Sequence, residues 1–154
     1  MSSTPILRTD RMVLRGWQFA DLQPLADIYA TQDDPNLHFV GGTKDRDDVW
    51  RIMCLRAGHW QFRGHGQFVL EDKESGQFVG WCGTLHHIED AEPELHYCIA
   101  KPYRGRGFAT EAVARVVEHA DTEWKLTSLA AYIAPENLSS QRVVVRAGAA
   151  KALR

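Results

Sequence analysis

The chain has 154 residues, 44% hydrophobic and 25% charged, proportions of one ordinary globular domain that exclude a wholly disordered, collagen-like or disulfide-dense chain. Eighteen Lys and Arg against twenty Asp and Glu leave a net charge of -2, without the basic excess that favours nucleic-acid binding. Cys54, Cys82 and Cys98 form no C-x-x-C pair, and no apolar run suits a signal peptide or a bilayer span, so a reduced, cytoplasmic protein free of the membrane is expected.

No internal repeat or Pro/Ser-rich linker divides the chain, so residues 1–154 are expected to form a single domain. Residues 11–15 read as a short strand. Asp21 then stands at the N-cap position of a helix in which Leu22, Leu25, Ala26 and Tyr29 recur at helical spacing. After Gly41-Gly42, Asp45 to Phe62 predicts a second helix, with Val49, Ile52, Met53 and Leu55 on its apolar side. Aromatic and β-branched residues bounded by glycine predict a hairpin of Gln67–Glu71 and Gln77–Leu85, turning at Lys73–Gly76. Glu94–Ile99 reads as another strand. Gly107–Trp124 predicts a helix striped by Phe108, Ala109, Ala112, Val113, Val116, Val117 and Ala120. Leu129–Ala134 reads as a strand, and Ser139–Ala147 as a short helix ended by Gly148. The order β-α-α-β-β-β-α-β-α predicts an α+β fold, a mixed sheet flanked by helices.

The segment Lys101-Pro-Tyr-Arg-Gly-Arg-Gly-Phe-Ala-Thr-Glu111 joins a strand to the most strongly patterned helix. Such a junction directs unpaired N–H groups and the positive end of the helix dipole outward, which suits an anion. Gly105, Gly107 and Ala109 keep side-chain bulk away from the main chain, and Arg104 and Arg106 are expected to add charged donors at the rim. A solvated tight turn is the plainer reading of the same residues. The segment is neither a P-loop, lacking Gly-Lys-[Ser/Thr], nor a Rossmann fingerprint, because Thr110 breaks the G-x-G-x-x-G spacing.

Arg104-Gly-Arg-Gly-Phe-Ala109 has the form R-x-x-G-x-A, which resembles the acyl-CoA pyrophosphate loop of the GNAT N-acetyltransferase superfamily. The stretches TDRMVLRGWQFADLQPLADIYA, GHWQFRGHGQFVLEDKESGQFVGWCGTL and PENLSSQRVVVRAGA are similar to the family's opening strand and helix, central hairpin, and closing Asn-x-x-Ser motif. The pattern is most similar to the branch that includes the ribosomal-protein N-terminal acetyltransferases. The resemblance implies a mostly antiparallel sheet with a strand splayed open at the acyl-CoA site.

It also implies roles. Acetyl-CoA is the implied cosubstrate, with no metal. Its pantetheine arm would pair with the strand end Cys98-Ile99-Ala100, in the manner of an added strand. Its pyrophosphate would lie on the main-chain amides of Arg104, Gly105, Arg106, Gly107, Phe108, Ala109 and Thr110. Asn137 would contact the pantetheine arm or cap the last helix. Glu94 is the implied general base, acting directly or through water, or else a solvated strand-start carboxylate. Strand alternation sets Glu94, His96 and Cys98 on one face and Leu95, Tyr97 and Ile99 on the other, so His96 could share the site. Ser140 matches a serine that the ribosomal-protein branch keeps near the thioester sulfur, and is also an ordinary helix-start residue. Many relatives use a tyrosine acid in the final helix, where this chain has Val144.

The resemblance implies transfer of an acetyl group to a primary amine of a small molecule or a peptide N-terminus. A degenerate acyl-CoA-binding sensor is the alternative, motivated by Val144 and by a chain that ends six residues after Gly148, where relatives continue through two further strands. A homodimer is one way to cover the sheet edge this leaves. His86, His87 and His96 lack a metal-site framework, the first two being adjacent and therefore expected on opposite sides of a strand. Asp33, Asp34, Asp45, Asp47 and Asp48, with Glu89, Asp90 and Glu92, are expected either to draw a cationic amine or to form a solvated surface.

Overall fold

The computed structural model describes residues 3–31 and 34–148. One antiparallel sheet runs in chain order through β1 (Leu7–Arg8), β2 (Met12–Arg15), β3 (Gln67–Asp72), β4 (Phe78–Leu85) and β5 (Glu94–Ile99). Met12 and Leu14 of β2 alternate with half-buried Val13 and Arg15, whereas β3 and β4 are buried on both faces because helices cover both. On one face, Leu14, Phe68 and Ile99 pack with Phe108, Ala112, Val113 and Val116 of α3 (Phe108–Thr122) and Val144 of α4 (Leu138–Arg146). On the other, Trp81 and Cys98 meet Leu25 and Tyr29 of α1 (Leu22–Ala30) and Val49 and Met53 of α2 (Arg46–Arg63). Each large side chain so enclosed stabilises the fold by roughly 1.5–3 kcal/mol before entropy is counted.

The second helix starts at Asp45, whose carboxylate accepts the Asp48 amide at 2.8 Å. Its apolar side differs from the expected one. Leu55 is exposed, and the buried stripe is Val49, Met53, Arg56 and Trp60. The 3.6-residue period therefore runs through an arginine. Its guanidinium carbon lies 4.2 Å from the Trp81 ring centroid and 5.2 Å from that of Trp17, and Nη2 donates to the Tyr29 hydroxyl at 3.4 Å. Burial lowers the Arg56 pKa and raises that of Tyr29. Two indole faces make a cation tolerable in an apolar layer.

Other expectations need correction. Asp21 stands at the N-cap position of α1, but its side chain does not cap that helix. Its carboxylate accepts the Gln18 amide at 2.7 Å and receives a two-pronged pair from Arg15 at 2.9 Å on each arm. Leu129–Ala134 forms no strand: Leu95 N donates to Ala130 O at 2.7 Å, Ala130 N donates to Pro93 O at 3.0 Å, and this single parallel bridge is the whole pairing. His86 and His87 lie beyond the end of β4 rather than on opposite sides of a strand. The short β1 and a 3-10 turn over Pro35–Val40 were not anticipated. Among the described residues, no helix is long and apolar enough to cross a membrane, and the three cysteines are free thiols.

A histidine cluster closes one end of the sheet. His65 is 8% exposed, its Nδ1 is 2.7 Å from Thr84 Oγ1, and the rings of His59, His86 and Trp124 surround it. His59 donates from Nδ1 to His65 O at 2.8 Å and accepts the His86 amide at Nε2 at 2.9 Å, an arrangement that requires the neutral ring. Burial pushes His65 from its ordinary 6.5 to about 4, with His59, His86 and Arg63 reinforcing the shift, and burial lowers His59 as well. The unfolded chain thus binds protons that the folded chain refuses. Stability is fully present above the ordinary histidine pKa and is lost as the pH falls toward about 4. Thermal unfolding measured across this range should show a falling midpoint, and His65→Gln should flatten the slope even if it lowers the midpoint near neutrality.

Candidate active site

The segment before α3 is built to leave its backbone donors uncommitted. After β5, a 3-10 turn over Lys101–Tyr103, with Pro102 second in it, has Tyr103 N donating to Ala100 O at 2.9 Å and Arg104 N to Lys101 O at 3.3 Å. Gly105 (φ 72°) and Gly107 (φ 82°) take left-handed conformations that cost an L side chain about 1–2 kcal/mol, and a Cβ on Gly105 would meet only open space. The first helical bond of ordinary geometry is Glu111 N to Gly107 O at 3.1 Å, so the amides of Phe108, Ala109 and Thr110 have no acceptor among the described residues. No hydrogen bond of ordinary geometry engages the amides of Gly105, Arg106 or Gly107 either. The N-terminus of a 15-residue helix lies behind them.

Arg11, next to β2, fixes this loop from outside. Its Nη1 donates to Arg106 O at 2.8 Å, its Nε to Glu111 Oε1 at 3.1 Å, and its guanidinium carbon lies 4.1 Å from the Phe108 ring centroid. Glu111 also accepts from Thr9 Oγ1 at 2.7 Å. The one carboxylate in the first turn of α3 is thereby neutralised, where it would otherwise repel an anion. Arg106 is exposed, with its guanidinium carbon 5.1 Å from the Phe108 ring centroid and 5.7 Å from that of Tyr103.

Arg104 corrects the expectation of a rim donor. Its Nη1 and Nη2 donate to the two carboxylate oxygens of Asp34 at 2.7 and 2.8 Å, and its Nε donates to Ile99 O at 2.8 Å. The Arg104 guanidinium holds the Asp34 carboxyl below the usual carboxylate range. Its main-chain N–H is already used within the 3-10 turn, so the run of open amides begins at Gly105. Asp34 is correspondingly no lure for a free cation, Asp45 is a helix cap, and Asp33 lies outside the described residues.

The strand end can be read from its register. Ala100 N donates to Val79 O at 2.7 Å, so alternation turns the main-chain groups of Cys98 toward its partner Trp81, and those of Leu95, Tyr97 and Ile99 away from β4. The Leu95–Ala130 bond agrees. Of the expected trio Cys98, Ile99 and Ala100, only Ile99 presents main-chain groups to the open edge, and Tyr97, which the sequence did not single out, presents the others. Once Arg104 has taken Ile99 O, the groups without a partner among the described residues are Leu95 O, Tyr97 N and O, and Ile99 N.

Glu94 and His96 share a face, as alternation predicts. Nε2 of His96 is 3.1 Å from Oε2 of Glu94 but off the line of a ring N–H, and this buried nitrogen has no hydrogen-bond partner among the described residues. Asn137 caps α4, its Oδ1 accepting the Ser140 amide at 3.2 Å. Ser140 O accepts the Tyr97 hydroxyl at 3.0 Å, which ties β5 to α4, and burial raises the Tyr97 pKa. Ser140 Oγ makes no hydrogen bond within the described residues. Val144 is buried in the core.

A cleft of about 570 Å³ joins these groups. Glu94, His96, Ile99, Asn137 and Ser140 line it together with Gly105, Gly107, Phe108, Ala109 and Thr110, and Asn36, His38 and Phe39 of the 3-10 turn form a further part of the wall. Arg142 and Arg146 of α4 bring positive charge to the same opening. Among the described residues, no cluster of three His, Cys, Asp or Glu side chains is spaced to hold a metal ion. The arrangement offers an anion cradle, a strand edge for an extended amide-bearing chain, and a carboxylate with an imidazole beside it.

Comparison with known proteins bears on the family and the fold. A family model described as an acetyltransferase (GNAT) domain matches residues 11–150. The crystal structure of an acetyltransferase from Agrobacterium tumefaciens is 32% identical with a TM-score of 0.86, covering 96% of this chain and 85% of that one. An N-acetyltransferase of Bacillus licheniformis called p20 is 26% identical over 142 residues, 90% of this chain and 78% of its own. The ribosomal L7/L12 α-N-acetyltransferase, solved with coenzyme A, shares the fold at 12% identity, with a TM-score of 0.74 and coverage of 93% and 82%.

Replacing Gly107 by alanine forces an L side chain into the left-handed region at φ 82°. The expected outcome in calorimetric titration with coenzyme A is an affinity reduced about tenfold, accompanied in thermal melts by a stability loss of about 1–2 kcal/mol.

Proposed function

Because this chain belongs to the GNAT acetyltransferase family, we propose that it acts as one N-acetyltransferase domain, moving the acetyl group of acetyl-CoA to a primary amine of a small molecule or a peptide N-terminus. The observation that carries this reading is the run of uncommitted amides from Gly105 to Thr110 at the head of α3. Six consecutive donors lie where the helix dipole is positive, with glycine at both positions that need it, and this fits a diphosphate without any side-chain ligand. The open edge of β5 fits the amide-bearing arm, with Tyr97 and Ile99 N–H donating and Leu95 and Tyr97 C=O accepting. Asn137 keeps its side-chain NH2 for the same arm while its oxygen caps α4.

Acetyl-CoA supplies an acyl group already activated as a thioester, so the task left to the protein is to orient an amine and remove its proton. An α-amine titrates near about 8 and a lysine-type amine near about 10.4, so the protonated form dominates for the latter at neutral pH. Glu94 is the assigned base. His96 beside it, with Nε2 buried and unbonded, is placed to orient that carboxylate or to share the proton. The cleft wall formed by Asn36, His38 and Phe39 is the assigned acceptor wall. The leaving thiolate has a pKa of about 8.5 and needs little help, which suits a weak donor such as Ser140 Oγ or water. A second reading, an acyl-CoA-binding module without turnover, is favoured by one observation: Val144 is buried apolar core at the place where the family resemblance implies a tyrosine acid.

The deciding measurement is release of the coenzyme thiol from acetyl-CoA across a panel of peptide N-termini, amino acids, polyamines and aminoglycoside amines. Turnover with one class is expected, and saturable calorimetric binding of acetyl-CoA without release across the panel would support the module instead. With a working acceptor, Glu94→Gln should lower kcat about 100-fold while coenzyme affinity stays within threefold, and the loss should narrow as the pH rises toward the pKa of the amine. Unchanged turnover would remove Glu94 from the role of base.

A further inference from the structure

We propose that the Asp34–Arg104 pair is a positioning device that holds the 3-10 wall of the cleft to the coenzyme end of β5, so that occupation of the amide cradle is felt at the acceptor wall. The inference rests on the reading that the α3 amides take coenzyme A, and it adds a pair of residues that the sequence motif alone treats differently. In the motif, Arg104 is a cation beside a phosphate. In the structure it is a bracket with every arm in use.

Asp34 is 70 residues from Arg104 in sequence, and its side chain is 3% exposed. Besides both guanidinium arms, it accepts the Asn36 amide at 3.0 Å and so starts the turn Pro35–Val40, which brings Asn36, His38, Phe39 and Val40 to the cleft. The turn continues with Leu37 N donating to Asp34 O at 3.0 Å and Gly42 N to Leu37 O at 2.6 Å. Leu37, fully enclosed, roots it in the layer of α1 and α2. The third arm of Arg104, Nε, holds Ile99 O at 2.8 Å. A planar guanidinium meets two carboxylate oxygens in a fixed plane, so the pair transmits orientation as well as attraction, which a lysine in its place cannot do.

Two consequences follow from where Arg104 sits. It immediately precedes Gly105, so a diphosphate gripped by the amides of residues 105–110 restrains the peptide that carries the bracket. The bracket also occupies Ile99 O and thereby sets the register in which an amide-bearing arm can pair with β5, leaving Tyr97 O and Leu95 O as the acceptors. Cradle, strand edge and acceptor wall are joined through Arg104, by its peptide bond to Gly105 and by its side-chain hydrogen bonds to Ile99 O and Asp34. Removing the carboxylate charge leaves the arginine partly buried without its counter-ion and frees the turn.

Hydrogen–deuterium exchange read by mass spectrometry, with and without saturating coenzyme A, tests this directly, with calorimetry on the same samples. In the wild type, coenzyme A should slow exchange in peptides covering 104–111 and also in those covering 34–42. In Asp34→Asn, the coenzyme Kd should stay within threefold and protection of 104–111 should persist, while the response of 34–42 shrinks at least fivefold. Asp34→Glu should restore part of that response, which a merely destabilised turn would not do. If Asp34→Asn is unfolded by circular dichroism, Arg104→Lys, which keeps the cation and loses the fork, is read the same way. The proposal is overturned if wild-type 34–42 is unmoved while 104–111 is protected, or if 34–42 responds fully in the variants. Absence of protection at 104–111 together with no saturable heat in the wild type would instead bring down the coenzyme reading, and the proposal with it.

Discussion

The site depends on a stretch of backbone whose hydrogen-bonding capacity has been kept open. From Gly105 to Thr110 the chain exposes consecutive N–H groups at the head of a 15-residue helix, and such groups are stable only if water or a ligand takes them. The surrounding side chains maintain that condition. Arg11 anchors Arg106 O and draws Glu111 aside, and Phe108 is 2% exposed as the first residue of the helix, seated in the core. The cradle is therefore held in shape by contacts behind it, and its amides have no partner in front among the described residues.

Charge is arranged by the same logic. The partly buried arginines nearest the sheet are matched to carboxylates: Arg15 to Asp21 and Glu71, Arg104 to Asp34 and Arg11 to Glu111. Attraction for an anion is left to oriented peptide dipoles and to exposed Arg106, Arg142 and Arg146. This division explains why a chain with a net charge of -2 can present a positive cleft. The exception is Arg56, which has no acid and is held between indole faces.

What could be read from the sequence was what local patterns determine. The strand Glu94–Ile99 and the helix after Gly107 show their periodicity within a few residues, and the Gly-x-Gly turn before that helix states its own conformational need. Long-range pairing was not legible. That Arg104 faces Asp34 depends on a 3-10 turn 70 residues away, and Arg56 joins an apolar stripe only because Trp17 and Trp81 arrive from other elements. Leu129–Ala134 has strand-like composition, yet a strand exists only through its partner, and β5 meets it at Ala130 alone. The same reasoning separates Ile99 from its neighbours: which groups face outward follows from the hydrogen-bond register with β4, not from residue type.

The single bridge at Ala130 shapes the sheet's last gap as a wedge, closed at Glu94 and opening toward Ile99. The carbonyls and amides along that wedge are what a foreign peptide would seize in edge-to-edge aggregation. On the proposed reading, the coenzyme arm that pairs with them is a plug as well as a reactant, closing this seam to such pairing.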